Sequence, residues 1–147
     1  MSYKNILWID DEADKLNGLF RWMSKDKYRL VKCKDKASAE VEIEKRLDNY
    51  DLIILDLILP KGVDYSAAEV EKAEQDRLKL EGLHILNRIQ DASNIPVMIM
   101  TVVSGGGYFN KISQYRSNSS SNIKEVLIKG NLTPNEIKTA VQNILGD

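Results

Sequence analysis

The sequence predicts an α/β domain built on a five-stranded parallel sheet with helices on both faces. Three observations lead there. Four short apolar runs, at 6–9, 52–55, 97–100 and 126–128, are continuous rather than alternating, the pattern of strands buried on both faces. Stretches of helical period separate them. Strands that alternate with helices need crossover connections, and crossovers produce a parallel sheet between two helical layers.

Each element can be justified in order. After the first strand, Leu16, Leu19, Phe20 and Met23 fall at i, i+3, i+4 and i+7, which predicts the first helix. Residues 29–33 form a weaker and more polar strand, expected nearer an edge. Ala37, Val41 and Leu47 mark the stripe of a second helix, and 52–55 is the third strand. The longest atypical stretch, 61–81, comes next. Loops after strands are normally a few residues long. Here Ala67, Ala68, Val70, Ala73 and Leu78 among charges predict an added helical segment. Gly82, Ile85, Leu86 and Ile89 mark the third helix, followed by the strand at 97–100. Tyr108, Ile112 and Tyr115 fit a short further helix between loop-like flanks at 105–107 and 117–122. After the last strand, Thr133-Pro134-Asn135-Glu136 is a capping box with proline at the first helical position. Ile137, Ala140, Val141, Ile144 and Leu145 carry the final stripe. No repeat or internal boundary interrupts this order, so one domain is expected over 1–147.

Composition excludes several roles. Lys and Arg total 21 and Asp and Glu 22, a net charge of −1. That balance argues against an electrostatic nucleic-acid binder and against attraction to an anionic membrane. Cys33 is the one cysteine, so no internal disulfide forms, and a reducing compartment is expected. The apolar runs are too short to span a bilayer, and 6–9 is too short for a signal-peptide core. A soluble cytoplasmic protein is the expectation. No output domain is expected beside this one, and action through another molecule or through self-association is expected.

The chemistry lies at the carboxyl end of each apolar run. The first run ends in Asp10-Asp11, the third strand in Asp56, the fourth in Thr101 and the last in Lys129. In a parallel sheet these ends share one edge, where open α/β sheets bind ligands. Three carboxylates close together repel unless a cation offsets them. Mg²⁺ suits that role, since it takes oxygen ligands and keeps waters that phosphate oxygens displace. A carboxylate can also act as a nucleophile toward phosphorus, and phosphoryl transfer then needs charge placed on the equatorial oxygens. A metal, a lysine ammonium and a hydroxyl can share those oxygens, and Asp10, Asp11, Asp56, Thr101 and Lys129 supply these parts.

Several motifs resemble those of response-regulator receiver domains. Ile6-Leu7-Trp8-Ile9-Asp10-Asp11-Glu12 is similar to their opening strand and acidic pair. Asp51-Leu52-Ile53-Ile54-Leu55-Asp56-Leu57-Ile58-Leu59-Pro60 resembles their phosphoacceptor strand with its trailing proline. Ile95-Pro96-Val97-Met98-Ile99-Met100-Thr101 resembles the strand that ends in the switch hydroxyl, and Lys129 stands where the family has its lysine. The resemblance covers nearly the whole chain apart from 61–81 and 105–122. It implies a flavodoxin-like (CheY-like) three-layer sandwich of strand order 2-1-3-4-5, with an extended region between the third strand and third helix. It further implies phosphorylation of Asp56 by a histidine kinase or histidine phosphotransfer protein. Asp11, Asp56 and the Ile58 carbonyl would bind Mg²⁺ directly, and Asp10 mainly through water. Lys129 would pair with the phosphoryl group, and Thr101 would move toward it. Such a protein is a switch acting only on its own phosphoryl group rather than an enzyme, with a downstream protein target and a possible homodimer.

The chain departs from the family at four places. Val102 stands where a small residue is common, Val126 where a switch Tyr or Phe is common, and Gly130 where a proline usually follows the lysine. The segment at 61–81 is the largest departure, expected to shape partner choice or access to the site.

Blander readings stand beside these. Asp10-Asp11 can cap the first helix. Thr101 and Lys129 taken singly are an ordinary strand former and a surface lysine. His84 has no clustered partner for zinc, Cys33 reads as a small core residue, and Gly105-Gly106-Gly107 lacks the Lys-Ser or Lys-Thr of a P-loop. Two rival functions remain. One is a degenerate receiver serving as a phosphorylation-independent interaction module, for which Val102, Val126 and Gly130 speak. The other is a phosphatase or phosphotransferase with an aspartyl nucleophile, against which Ile58 occupies the place of the second Asp. Flavin binding is disfavoured by the acids lining the crevice.

Overall fold

The structure is a computed structural model that describes residues 3–11, 17–25, 27–56, 81–101, 122–128 and 132–146. Its elements are β1 (Lys4–Ile9), α1 (Asn17–Ser24), β2 (Tyr28–Cys33), α2 (Lys36–Arg46) with a 3-10 turn at Leu47–Asn49, β3 (Leu52–Leu55), α3 (Glu81–Ala92), β4 (Val97–Thr101), β5 (Ile123–Ile128) and α4 (Pro134–Leu145). The five strands form one sheet in the order β2-β1-β3-β4-β5, and every pairing is parallel. The chain thus has the flavodoxin-like architecture and strand order expected of it.

The unbroken apolar runs follow from this layering. Alternate residues of a strand point to opposite faces, so a central strand covered on both sides must be apolar throughout. On one face Leu7, Ile9, Ile53, Leu55, Val97 and Ile99 pack with Ala39 and Ile43 of α2 and with Ile85, Leu86 and Ile89 of α3. On the other, Ile6, Trp8, Leu52, Ile54, Met98 and Met100 pack with Leu19, Phe20 and Met23 of α1 and with Ile137, Ala140 and Val141 of α4. Each such large side chain contributes roughly 1.5–3 kcal/mol by leaving water.

Helix ends are set locally. Asp35 caps α2, its carboxylate accepting from the Ser38 amide at 2.7 Å. Thr133 caps α4 as anticipated, accepting from the Glu136 amide at 3.2 Å with Pro134 in the first turn. Gly146 closes α4 at φ 77°, and its amide bonds to the Gln142 carbonyl at 2.9 Å.

Two differences from the sequence expectation have physical causes. The buried row of α2 is Ala39, Ile43 and Leu47, not Ala37, Val41 and Leu47, and Val41 is 48% exposed. Val41 and Ile43 lie two residues apart and so on nearly opposite sides of a helix. Ala39, Ile43 and Leu47 fall at i, i+4 and i+8 on one face, whereas Val41 and Leu47 do not share a face, and Ile43 takes the core. β5 begins at Ile123 rather than at 126, and a register irregularity opposite Val97/Met98 skips Lys124. Buried Asn122 sets that start. Its side-chain amide donates to the Ser93 and Ile95 carbonyls at 3.0 and 2.9 Å, and its own carbonyl accepts from the Val97 amide at 2.8 Å. The segment at 61–81, apart from Glu81 at the start of α3, and the further helix expected around Tyr108 lie outside the described residues.

The reassigned face of α2 is checked by paired truncations. Ile43→Ala should cost about 2–4 kcal/mol in urea unfolding, whereas Val41→Ala should stay within about 0.5 kcal/mol.

Candidate functional site

The site arises where β1 and β3 end together. Ile9 pairs with Leu55, so the next residues, Asp10 and Asp56, leave neighbouring strands at the same level. Two backbone bonds extend the ladders by one step and hold them. The Asp56 amide donates to the Ile9 carbonyl at 2.8 Å, and the Asp10 amide donates to the Cys33 carbonyl at the end of β2 at 2.9 Å. Both side chains are buried, Asp10 at 0% and Asp56 at 4% exposure, and Asp11 beside them is exposed. One carboxylate oxygen from each of the three falls within 4.8 Å of the others.

Such crowding has a cost. Two like charges about 5 Å apart at an effective dielectric of 20 repel by roughly 3 kcal/mol, less for exposed Asp11, which water and salt screen. A divalent cation offsets this. The donor set is all carboxylate oxygen, which suits a hard ion, and one solvent-facing member leaves room for retained waters. These residues therefore fit Mg²⁺. Nitrogen and sulfur ligands are not at hand among the described residues. His84 is exposed on α3, with Nδ1 3.4 Å from Lys36 Nζ. The Cys33 side chain lies in the core below α2, and burial pushes its thiol pKa up, so it stays protonated as an inert core residue.

The acid at the other end of β3 makes a useful contrast. Asp51 accepts from the Asn5 amide at 2.8 Å and returns its own amide to the Asn5 carbonyl. That carboxylate is tied into the sheet start, at the opposite edge from the cluster.

The remaining site expectations fare unequally. Thr101 is the last residue of β4 and pairs with Ile128 of β5, so its backbone reaches the same edge as the acids. Lys129 and Ile58 lie outside the described residues, as do Val102 and Gly130. Val126 is half-buried against the core beside its ladder partner Ile99, with no aromatic ring at that position. Nothing in the sequence hinted that the Cys33 carbonyl positions Asp10, because backbone contacts carry no side-chain signature.

A parallel sheet of this order between two helical layers, with acids at the carboxyl ends of two of its three inner strands, has the CheY-like flavodoxin fold, and comparison with solved structures agrees on that fold. The chain resembles a CheY-like response regulator receiver domain protein from Methanospirillum hungatei JF-1, with a TM-score of 0.71 at 15% identity over 99% of this chain and 95% of that one. It resembles the non-phosphorylated HemR receiver domain from Leptospira biflexa, with a TM-score of 0.70 at 19% identity over 98% and 95%. A response regulator receiver domain protein from Clostridium thermocellum gives 0.68 at 21% identity over 97% and 94%. No protein-family model matches the chain, and no curated protein matches it by sequence. Among the described residues no helix is long and apolar enough to cross a membrane.

If the acids hold Mg²⁺, the ion adds to stability by mass action, about 2.7 kcal/mol at a hundredfold excess over its Kd. Thermal melts in MgCl₂ against EDTA should show that gain for the wild type and a much smaller one for Asp10→Asn. In EDTA the Asp10→Asn protein should melt no lower than the wild type, because one like charge has been removed.

Proposed function

We propose that the chain is a response-regulator receiver domain, phosphorylated on Asp56 by a histidine kinase or histidine phosphotransfer protein. The supporting observation is the burial of Asp56 at the end of an inner strand, within 4.8 Å of two other carboxylates. An isolated buried carboxylate would be costly; one set beside two other acids, one of them exposed, is suited to a cation and a phosphoryl group. Magnesium bound there would neutralise charge on the incoming phosphoryl oxygens. In this reading Asp11 and Asp56, with the Ile58 carbonyl, contact the ion, and Asp10 acts mainly through water.

An Asp56 carboxylate oxygen attacks phosphorus, and the bond from phosphorus to the donor nitrogen or oxygen breaks. The donor leaves with the electron pair, and the phosphoryl group remains as an acyl phosphate. Lys129 pairs with one phosphoryl oxygen and the Thr101 hydroxyl with another. Movement of Thr101 toward the group conveys the change to a downstream protein target or to a second copy. Hydrolysis returns the carboxylate, so the chain processes only its own phosphoryl group and is not an enzyme toward other substrates. The cytoplasm is the compartment this role requires.

Val126 favours a second reading. Without a ring at that position the usual aromatic rotation has no vehicle, as in a receiver that serves as a phosphorylation-independent interaction module. One experiment separates the readings. The protein is incubated with acetyl phosphate or beryllofluoride, with and without Mg²⁺, and intact mass or fluorine NMR is followed. An adduct that needs Mg²⁺ and disappears in Asp56→Asn is the expected result. No adduct under any condition supports the interaction module, and turnover of unrelated phosphate esters supports a phosphatase. A further prediction concerns Val102. Val102→Ala should speed both phosphorylation and hydrolysis, measured as acyl phosphate formed and decayed, because a β-branched side chain narrows access.

A further inference from the structure

The three acids are not held alike. Ladder bonds fix Asp10 and Asp56, whose amides donate to the Cys33 and Ile9 carbonyls. Asp11 is one residue beyond Asp10, exposed and in a turn. Where its carboxylate stands depends on how the chain is held on both sides of that turn. On the near side is the ladder bond at Asp10. On the far side is α1, where Asn17 follows Asp11 by six residues.

That end of α1 is weakly built. The buried residues of the helix are Leu19, Phe20 and Met23. Before Leu19, among the described residues, Asn17 and Gly18 are exposed, and a Cβ placed on Gly18 would meet no atom within 4 Å. Glycine also favours the unfolded chain over a helix. Among the described residues, Lys32 of β2 joins this turn to the sheet. Its ammonium donates to Asn17 Oδ1 at 2.9 Å and stands 5.1 Å from the Phe20 ring centroid. Phe20 in turn meets Trp8 edge-on, and Trp8 is the ladder partner of Lys32. These side chains close a ring from β2 across α1 to β1, two residues before Asp10. A lysine on an edge strand is ordinarily a solvated charge that discourages strand pairing. Here the ammonium is turned back over α1, and holding a long side chain there needs contacts that offset its lost freedom.

We propose that Lys32 is a positioning residue for Asp11: by tying Asn17 to β2 it fixes the turn from which the Asp11 carboxylate joins those of Asp10 and Asp56. The proposal rests on reading these three acids as the site of a divalent ion. Its sign is opposite to that of simple electrostatics. By charge alone, removing a cation from the strand beside an acidic site tightens the hold on a divalent ion. Losing a positioning contact weakens that hold, because an unfixed ligand must be ordered when the ion binds.

The test measures Mn²⁺ affinity of the full chain by water proton relaxation. Lys32→Met, which keeps the length of the side chain, should weaken Mn²⁺ binding by about three- to tenfold, toward the low end of what groups outside the ligand set contribute to metal sites. Asn17→Ala, which changes no charge and suits a helix, should weaken it by a similar factor. The double variant should bind no worse than either single one, since both remove the same contact. Lys32→Arg, with charge and donors kept, should restore most of the affinity. In an Asp11→Asn background Lys32→Met should have no further effect. The amide NMR signals of Asp11 and Asn17 should shift in Lys32→Met while those of Asp10 and Asp56 stay in place. The proposal alone is overturned if Lys32→Met or Asn17→Ala binds Mn²⁺ as tightly as the wild type or tighter, if their losses add, if Lys32→Met acts in full without Asp11, or if all four amides shift together. Failure of the wild type to bind Mn²⁺ overturns the site and the proposal with it.

Discussion

The register of β1 against β3 is the constraint on which the site depends. Ile6, Leu7, Trp8 and Ile9 stand opposite Leu52, Ile53, Ile54 and Leu55, and all eight side chains are fully buried. A slip of one residue would turn every one of them to the other face. It would also separate Asp10 from Asp56, which meet only because each comes directly after the last pair of this ladder. The packing that stabilises the sheet therefore also sets the spacing of the acids. A mutation that loosened the pairing would harm the site without touching a carboxylate.

The surrounding layers reinforce the same register from both sides. On one side α2 and α3 are joined outside the core by Arg88, whose guanidinium meets Glu40 and Glu44 at 2.7 Å each. These pairs are solvent-facing, so their contribution is small beside that of Ile43, Ile85 and Ile89 beneath them. On another side of α2 the Tyr50 hydroxyl donates to Glu42, and burial together with that carboxylate pushes the Tyr50 pKa well up. On the other side Trp8 meets Phe20 edge-on at 4.9 Å, which fastens α1 to β1 immediately before the acids. The helix after the acidic turn is thus anchored to the strand before it.

How much the sequence disclosed varied with the kind of information each residue carries. The inner strands were legible because burial on both faces demands an uninterrupted apolar run, as at 52–55. α4 was legible because Thr133, Pro134 and Glu136 state a helix start in local chemistry. The acids were legible because Asp10, Asp11 and Asp56 directly succeed such runs, and a parallel sheet brings such ends together. α2 misled because its few apolar residues sit among charges on both sides, although the i, i+4, i+8 row of Ala39, Ile43 and Leu47 is the one that packs. Asn122 was not anticipated, since a polar residue that bridges two carbonyls of a distant connection looks like any loop asparagine. The local excess of six Lys or Arg over two Asp at 25–36 was hidden by whole-chain charge, which averages it against acids elsewhere.

Paramagnetic NMR with Mn²⁺ in place of Mg²⁺ tests most directly whether the paired ends of β1 and β3 form a metal-binding pocket. At substoichiometric Mn²⁺ the amide signals of Asp10, Asp11 and Asp56 should broaden first, and those of Asn5 and Leu52, at the far ends of the same strands, should persist. Uniform broadening, or broadening centred on another part of the molecule, would contradict a pocket at these strand ends.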